Sequence, residues 1–203
     1  RADISATSNS TRGLFGGGPS GAGRTNVIDY ITTASTGNAT DFGDLSSAKY
    51  GVASCASPTR GVFAGGYDGN YINVIEYITI ASPGNATDFG DLLQTTYGAS
   101  AYSSSTRGLF AGTGNGTTYN VIVYITIASP GNATDFGDLS VTRYQTASTS
   151  NSTRGIFSGG NASPVNVIDY VTIATPGNAT DFGDMTVART LQAACSDCHG
   201  GLA

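Results

Sequence analysis

Apolar residues in this chain come in short, dense runs separated by Gly, Ser, Thr and Asn. No stretch sustains a 3.6-residue apolar period, so helices are expected to be rare. The run Asn73-Val74-Ile75-Glu76-Tyr77-Ile78-Thr79-Ile80 is typical. Its β-branched and aromatic residues favour a strand. Val74 and Ile78 point to one face, Ile75 and Tyr77 to the other, so this strand is expected to be buried on both sides. The same reading over 49–95 predicts four strands, at 50–56, 60–64, 73–80 and about 86–92. The second ends at Gly65-Gly66, and Ser82-Pro83-Gly84-Asn85 separates the last two. Pro presets φ at the second position of a type II turn, and Gly supplies the positive φ the third requires.

This pattern is written four times. Thr-Arg-Gly recurs with its Arg at Arg12, Arg60, Arg107 and Arg154, at spacings of 48, 47 and 47. Asn-Val-Ile-x-Tyr places Tyr30, Tyr77, Tyr124 and Tyr170 in phase, and Gly-Asn-Ala-Thr-Asp-Phe-Gly-Asp begins at Gly37, Gly84, Gly131 and Gly177. The chain divides into units 1–48, 49–95, 96–142 and 143–188, and 189–203 begin a fifth. Four short strands in each unit of this length predict one all-β repeat domain over 1–203, a β-propeller of four-stranded blades.

Tyr50, Arg60-Gly61-Val62-Phe63-Ala64-Gly65-Gly66 and Val74-Ile75-Glu76-Tyr77 resemble a Kelch repeat: an apolar strand ending in a Gly doublet, then a strand carrying Tyr. The resemblance covers the chain four times over and implies a propeller. It departs where Kelch repeats place a Trp, since this chain has none. The wording Asn-Val-Ile-Asp-Tyr…Gly-Asn-Ala-Thr-Asp-Phe-Gly-Asp-Leu also resembles repeat proteins among the structural and fibre proteins of marine bacteriophages. That likeness implies a virion setting. Kelch-like propellers include copper-dependent sugar oxidases, but a chain with one His and no Trp cannot assemble their site.

Charge narrows the function further. Only 11% of the 203 residues are charged and the net charge is −5, against roughly 25% charged in ordinary soluble domains. A broad basic footprint for nucleic acid is absent. No apolar run approaches the roughly 20 residues of a membrane helix. A polar surface poor in Lys and Glu fits a virion or extracellular setting. No nucleophile–His–acid set can be assembled, so neither enzymatic activity nor a cofactor or metal is expected. Cys195-Ser196-Asp197-Cys198-His199 has the spacing of a haem-attachment motif. It falls opposite Cys55 and Thr59-Arg60-Gly61 in the repeat, so it is expected to be a repeat variant without haem; a redox or haem protein is the distant alternative. Asn-x-Ser/Thr sites such as Asn38 and Asn85 would be glycosylation acceptors only in a glycosylating pathway.

Residues repeated in every unit are expected to be structural, and those that vary to face a partner. Arg12, Arg60, Arg107 and Arg154, with the repeated acids Asp41, Asp88, Asp135 and Asp181, are expected to be mostly buried and paired within or between blades, the acids either satisfying backbone donors at a turn or pairing with the repeated Arg. The connection between the second and third strands differs in each unit and carries Tyr67, Asp68, Asn70, Tyr71, Asn115, Tyr119 and Asn161. Rigid amphipathic Tyr with adaptable Asn and Asp suits recognition of a glycan or protein. The expected function is a structural or recognition module of a virion appendage, such as a tail fibre meeting a host-surface glycan or protein or neighbouring subunits. The alternative is a secreted or cell-surface adhesion or filament propeller. Two accounts of 189–203 stay open: the start of another blade in a longer array, or a strap that fastens a four-bladed ring.

Overall fold

The computed structural model describes residues 3–21, 23–161 and 165–195. Among them there is no helix. Each unit is one antiparallel four-stranded sheet. The first contains β1 (Ser5–Ser8) and β2 (Arg12–Gly16), a separate small hairpin of β3 (Pro19–Ser20) and β4 (Gly23–Arg24), then β5 (Val27–Thr32) and β6 (Thr40–Asp44). The second comprises β7 (Ala53–Ala56), β8 (Arg60–Ala64), β9 (Ile72–Thr79) and β10 (Thr87–Thr96). The third comprises β11 (Ser100–Ser103), β12 (Arg107–Ala111), β13 (Val121–Thr126) and β14 (Thr134–Asp138). The fourth comprises β15 (Ala147–Ser150), β16 (Arg154–Ser158), β17 (Val167–Thr172) and β18 (Thr180–Asp184). In each sheet the strands lie side by side in chain order.

The expected strands of the second unit are all present, and three have shifted ends, the third by a single residue at Ile72–Thr79. The first begins at Ala53 because Tyr50 pairs outside the sheet with Tyr67 and Gly51 turns the chain at φ 67°. The fourth, β10, continues to Thr96, past the expected end at Leu92.

Every apolar cluster is shared by two consecutive units. Leu14, Ile28, Phe42 and Leu45 of the first unit pack with Val52, Phe63, Ile78 and Ile80 of the second. Val62, Ile75, Phe89 and Leu92 then meet Phe110, Ile125, Ile127 and Ala133 of the third. Leu109, Ile122, Phe136 and Leu139 meet Phe157, Val171 and Ile173 of the fourth. Each sheet thus has a forward face and a backward face, as the doubly apolar third strand predicts. Burying one Phe or Ile contributes about 1.5–3 kcal/mol, so these three joints supply most of the stabilisation.

A backbone clasp seals the rim of each joint, and it explains the repeated Gly-Asn-Ala-Thr-Asp-Phe-Gly-Asp string. The Gly84 N–H donates to the Phe42 carbonyl at 2.7 Å, the Ala86 N–H to the Asp44 carbonyl at 2.8 Å, and the Asp44 N–H to Asn85 Oδ1 at 3.1 Å. Gly131, Ala133 and Asn132 clasp Phe89 and Asp91 in the same way, and Gly177, Ala179 and Asn178 clasp Phe136 and Asp138. The first half of the string in one unit therefore binds the second half of the string in the unit before it. Gly43, at φ 141°, must be glycine here: a Cβ would come within 2.5 Å of the Gly84 carbonyl.

The repeated Arg residues also cross the joints. The Arg12, Arg60 and Arg107 Nη1 atoms donate to the carbonyls of Ile80, Ile127 and Ile173 in the next unit, at 2.5, 2.8 and 2.8 Å. Their guanidinium groups lie 4.7, 4.6 and 4.5 Å from the ring centres of Tyr30, Tyr77 and Tyr124. Arg154 stacks likewise on Tyr170 at 4.4 Å but is exposed.

The expected Arg–Asp pairing needs correction. Asp41, Asp88, Asp135 and Asp181 are all exposed. Asp41 and Asp181 accept the backbone N–H groups of Gly43 and Gly183, at 3.1 and 2.9 Å, which shapes the bend at the Phe-Gly step. Exposed carboxylates gain little from a distant cation, while the partly buried Arg finds a carbonyl whose lone pair would otherwise be covered.

The buried ion pairs lie elsewhere. Lys49 pairs with Glu76, and Arg143 pairs with Asp169 at 2.8 Å; all four side chains are at most 1% exposed. Each acid also accepts the N–H of a serine in the preceding unit, Ser46 at 2.8 Å and Ser140 at 3.0 Å. The same two positions in the third unit hold Thr96 and Val123, both buried.

Candidate functional site: a tyrosine-lined cleft

In the second, third and fourth units the variable loop is held by the same residue. Tyr50, Tyr97 and Tyr144 stand 47 residues apart, each just before the first strand of its unit. Each exchanges two backbone hydrogen bonds with the loop of its own unit: Tyr50 with Tyr67, Tyr97 with Gly114, Tyr144 with Asn161. Asx turns tighten the loops, with the Asp68 carboxylate accepting the Asn70 N–H at 3.1 Å and Asn115 Oδ1 accepting the Thr117 N–H at 3.3 Å.

These anchors bring side chains from all four units together. Tyr67 and Tyr50 are 5.7 Å apart between ring centres, Tyr50 and Tyr97 5.7 Å, Tyr97 and Tyr71 6.3 Å, and Tyr71 and Tyr67 5.2 Å. The four rings form a closed circuit across the second and third units. Edge-to-face and tilted pairs at such distances contribute about 0.5–1.5 kcal/mol each beyond their burial. Arg24, from the first unit, lies 5.6 Å from the centre of Tyr67. Beside the circuit is a cleft of about 250 Å³ lined by Tyr71, Tyr97, Gly114, Gly116, Thr117, Thr118 and Tyr144. Tyr71 is its most exposed ring, at 40%.

The sequence-predicted residues divide between the cleft and its scaffolding. Tyr67 and Tyr71 belong to the ring circuit. Asn161 donates to the Tyr144 hydroxyl at 3.0 Å, positioning it at the cleft's edge. Asp68 accepts the Ser47 hydroxyl at 3.4 Å, and Asn115 donates to Thr95 Oγ1 at 2.9 Å, so both serve the loops. Asn70 is exposed, and Tyr119 is half-buried outside the circuit and the cleft lining. Tyr50, Tyr97, Tyr144 and Arg24 were not predicted. Their signal was available: a Tyr in constant phase beside a variable loop is its natural anchor.

The cleft is made for neutral hydrogen bonding and stacking. Burial, and then the neighbouring Asp3, Tyr50, Tyr144 and Tyr71, raise the Tyr97 pKa above its ordinary value of 10.0, so its hydroxyl keeps its proton. A phenol in that state donates one hydrogen bond and accepts others, and its ring faces remain apolar.

A second cleft, of about 260 Å³, is lined by the first strand of each sheet, β1, β7, β11 and β15, with Ala194 and Cys195 beside them. Its hydroxyls mostly serve packing. Ser54 donates to the Ala6 carbonyl at 2.9 Å, Ser103 to Ala56 at 2.6 Å and Ser148 to Ala101 at 2.7 Å, each across a joint. Thr149 donates to the Cys195 carbonyl at 2.6 Å. Cys55 is buried, which pushes its thiol up to about 12, whereas Cys195 is exposed. Cys198 and His199 lie outside the described residues, and among those described no group of His, Cys, Asp and Glu is placed to hold a metal.

No protein-family model matches the chain, and no curated protein is significantly similar to it.

Proposed function

We propose that the chain is a non-enzymatic recognition module, its four sheets the blades of a Kelch-like propeller. We place it on a virion appendage such as a tail fibre, with a host-surface glycan as the ligand of the tyrosine-lined cleft. The observation that carries this reading is the convergence of Tyr50, Tyr67, Tyr71, Tyr97 and Tyr144 onto one face, held by loops that differ from unit to unit. A sugar ring has an apolar face that stacks on Tyr and a rim of hydroxyls that pair with phenols and amides. Tyr supplies this contact area at low conformational cost, with only two side-chain torsions to fix. The net charge of −5 favours a neutral ligand over a polyanion.

The test is a glycan array probed with the purified chain, followed by calorimetry on any binder. Tyr71→Ala and Tyr67→Ala should each weaken binding about tenfold or more, since truncating a central aromatic anchor typically costs at least about 2 kcal/mol. Unchanged affinity in the double variant, with the fold intact by circular dichroism, would reject the cleft as the ligand site. Antibody labelling of purified particles tests the virion placement separately.

A further inference from the structure

The joints inside the molecule show what its outermost faces are built to meet. Leu14, Ile28, Phe42 and Leu45 form the forward face of the first unit, and all are at most 2% exposed. The corresponding residues of the fourth unit are Ile156, Ile168, Phe182 and Met185, equally apolar, yet none is buried. Phe182 is 52% exposed, while Phe42, Phe89 and Phe136 at the same position are 2–3% exposed. A Cβ on Gly183 would meet nothing within 4 Å, whereas one on Gly43 would strike the next unit's turn. Arg154 is stacked on Tyr170 as its three counterparts are on theirs, and Arg189, in the phase of Lys49 and Arg143, is exposed.

The backward face of the first unit is the matching half. Gly37, Asn38 and Ala39, whose counterparts clasp the preceding unit at every joint, are exposed. Phe15 and Ile31 are half-buried, where Phe63, Phe110 and Phe157, and Ile78 and Ile125, are buried. One position differs: Thr33 stands where Ile80, Ile127 and Ile173 stand in the other units.

We propose that the forward face of the fourth unit docks the backward face of the first unit of a second copy of this chain, head to tail. Phe182 enters the apolar joint, the Gly37-Asn38-Ala39 turn clasps the backbone of Phe182-Gly183-Asp184, and Arg154 donates to the Thr33 carbonyl. The chain makes this contact three times within itself, which identifies the occupant by its chemistry. The innermost place beside Thr149 is held by the chain's own Cys195, so the intermolecular joint uses the outer part of the face. Thr33 weakens it relative to the internal joints, which keeps association reversible. Because the two faces differ, the contact is heterologous, and it builds open assemblies or rings rather than a closed twofold dimer.

Analytical ultracentrifugation of the whole chain over a wide concentration range tests this. The mass should rise in steps of the 20.5 kDa chain. Phe182→Asp and Ala39→Arg each block one face, and each variant alone should remain monomeric with an unchanged circular dichroism spectrum. Mixing the two should give a one-to-one dimer and nothing larger, because one open face of each kind remains. Thr33→Ile should tighten association about tenfold, the gain expected from burying a larger apolar side chain. A wild-type chain that stays monomeric throughout, whether its faces stay open or close on one another, overturns the proposal. So does a mixture that fails to pair while the wild type associates.

Discussion

The joint between the first and second units and the joint between the second and third differ at one buried position. In the former, Lys49 and Glu76 form an ion pair, and Glu76 also holds the Ser46 N–H as the chain turns out of β6. In the latter, Thr96 and Val123 occupy the same places, and β10 runs on as a strand to Thr96. The joint between the third and fourth units returns to the charged solution, with Arg143 and Asp169. All three keep the same apolar packing, the same clasp and the same Arg bridge. The ion pair is thus not what holds two units together. It selects how the chain leaves the fourth strand: a carboxylate captures a serine N–H and the chain turns, while Val leaves the strand to continue. Burying two charges costs several kcal/mol before their attraction returns it, so an apolar pair can take over without loss.

The sharpest way to break this comparison is to remove one member of a pair. Glu76→Val strands a buried ammonium at Lys49 and should cost about 3–5 kcal/mol in urea unfolding. Adding Lys49→Thr, which copies the second joint into the first, should recover most of that, leaving a deficit of about 1 kcal/mol for the lost hydrogen bond to Ser46. If the double variant is as unstable as the single, the ion pair itself holds the joint. A comparable loss, about 3–5 kcal/mol, is expected for Phe136→Ala inside a joint. Phe182→Ala, at the same repeat position on an open face, should change monomer stability by less than about 0.5 kcal/mol. Equal effects at the two positions would mean that Phe182 is already covered within the monomer.

A smaller effect distinguishes the second unit by its buried thiol. Cys55 keeps its proton when folded up to about pH 12, while its ordinary value is 9.0. Between those values the folded chain binds more protons than the unfolded one, so stability falls as pH rises through that window. Cys55→Ala should flatten part of this decline in unfolding curves measured at increasing pH; Tyr102, also raised by burial, keeps the remainder. At the Arg bridge, Arg60→Lys should cost about 1 kcal/mol, because an ammonium cannot both lie flat on Tyr77 and reach the Ile127 carbonyl.

The unit length, the four strands and the apolar double face of the third strand were legible because each is written within one unit. The clasp was not. When Gly-Asn-Ala and Phe-Gly-Asp recur together at a constant period, the period alone cannot say whether the two halves meet inside a unit or across neighbours. The same ambiguity produced the incorrect pairing of Arg60 with the repeated acids, when its partner is the Ile127 carbonyl one unit on. The buried ion pairs could have been found by reading the units against one another. Lys49, Thr96 and Arg143 change in step with Glu76, Val123 and Asp169. At the cleft, Tyr67 and Tyr71 were picked out by their variability, while Tyr50, Tyr97 and Tyr144 were missed, because only positions that vary between units were expected to face a partner.

Sharing every core between neighbours also sets how the molecule comes apart. A unit detached from the array keeps its ladder of strands but loses the partner for each apolar face, so its own free energy of folding is unfavourable. Stability accrues with each interface added, as in a one-dimensional chain of coupled segments. Among the described residues the first and fourth sheets each share one apolar cluster where the second and third share two, so they are the weaker links. Melting starts there as fraying and travels inward as a front, and the second and third sheets give up their slowest-exchanging amide protons last.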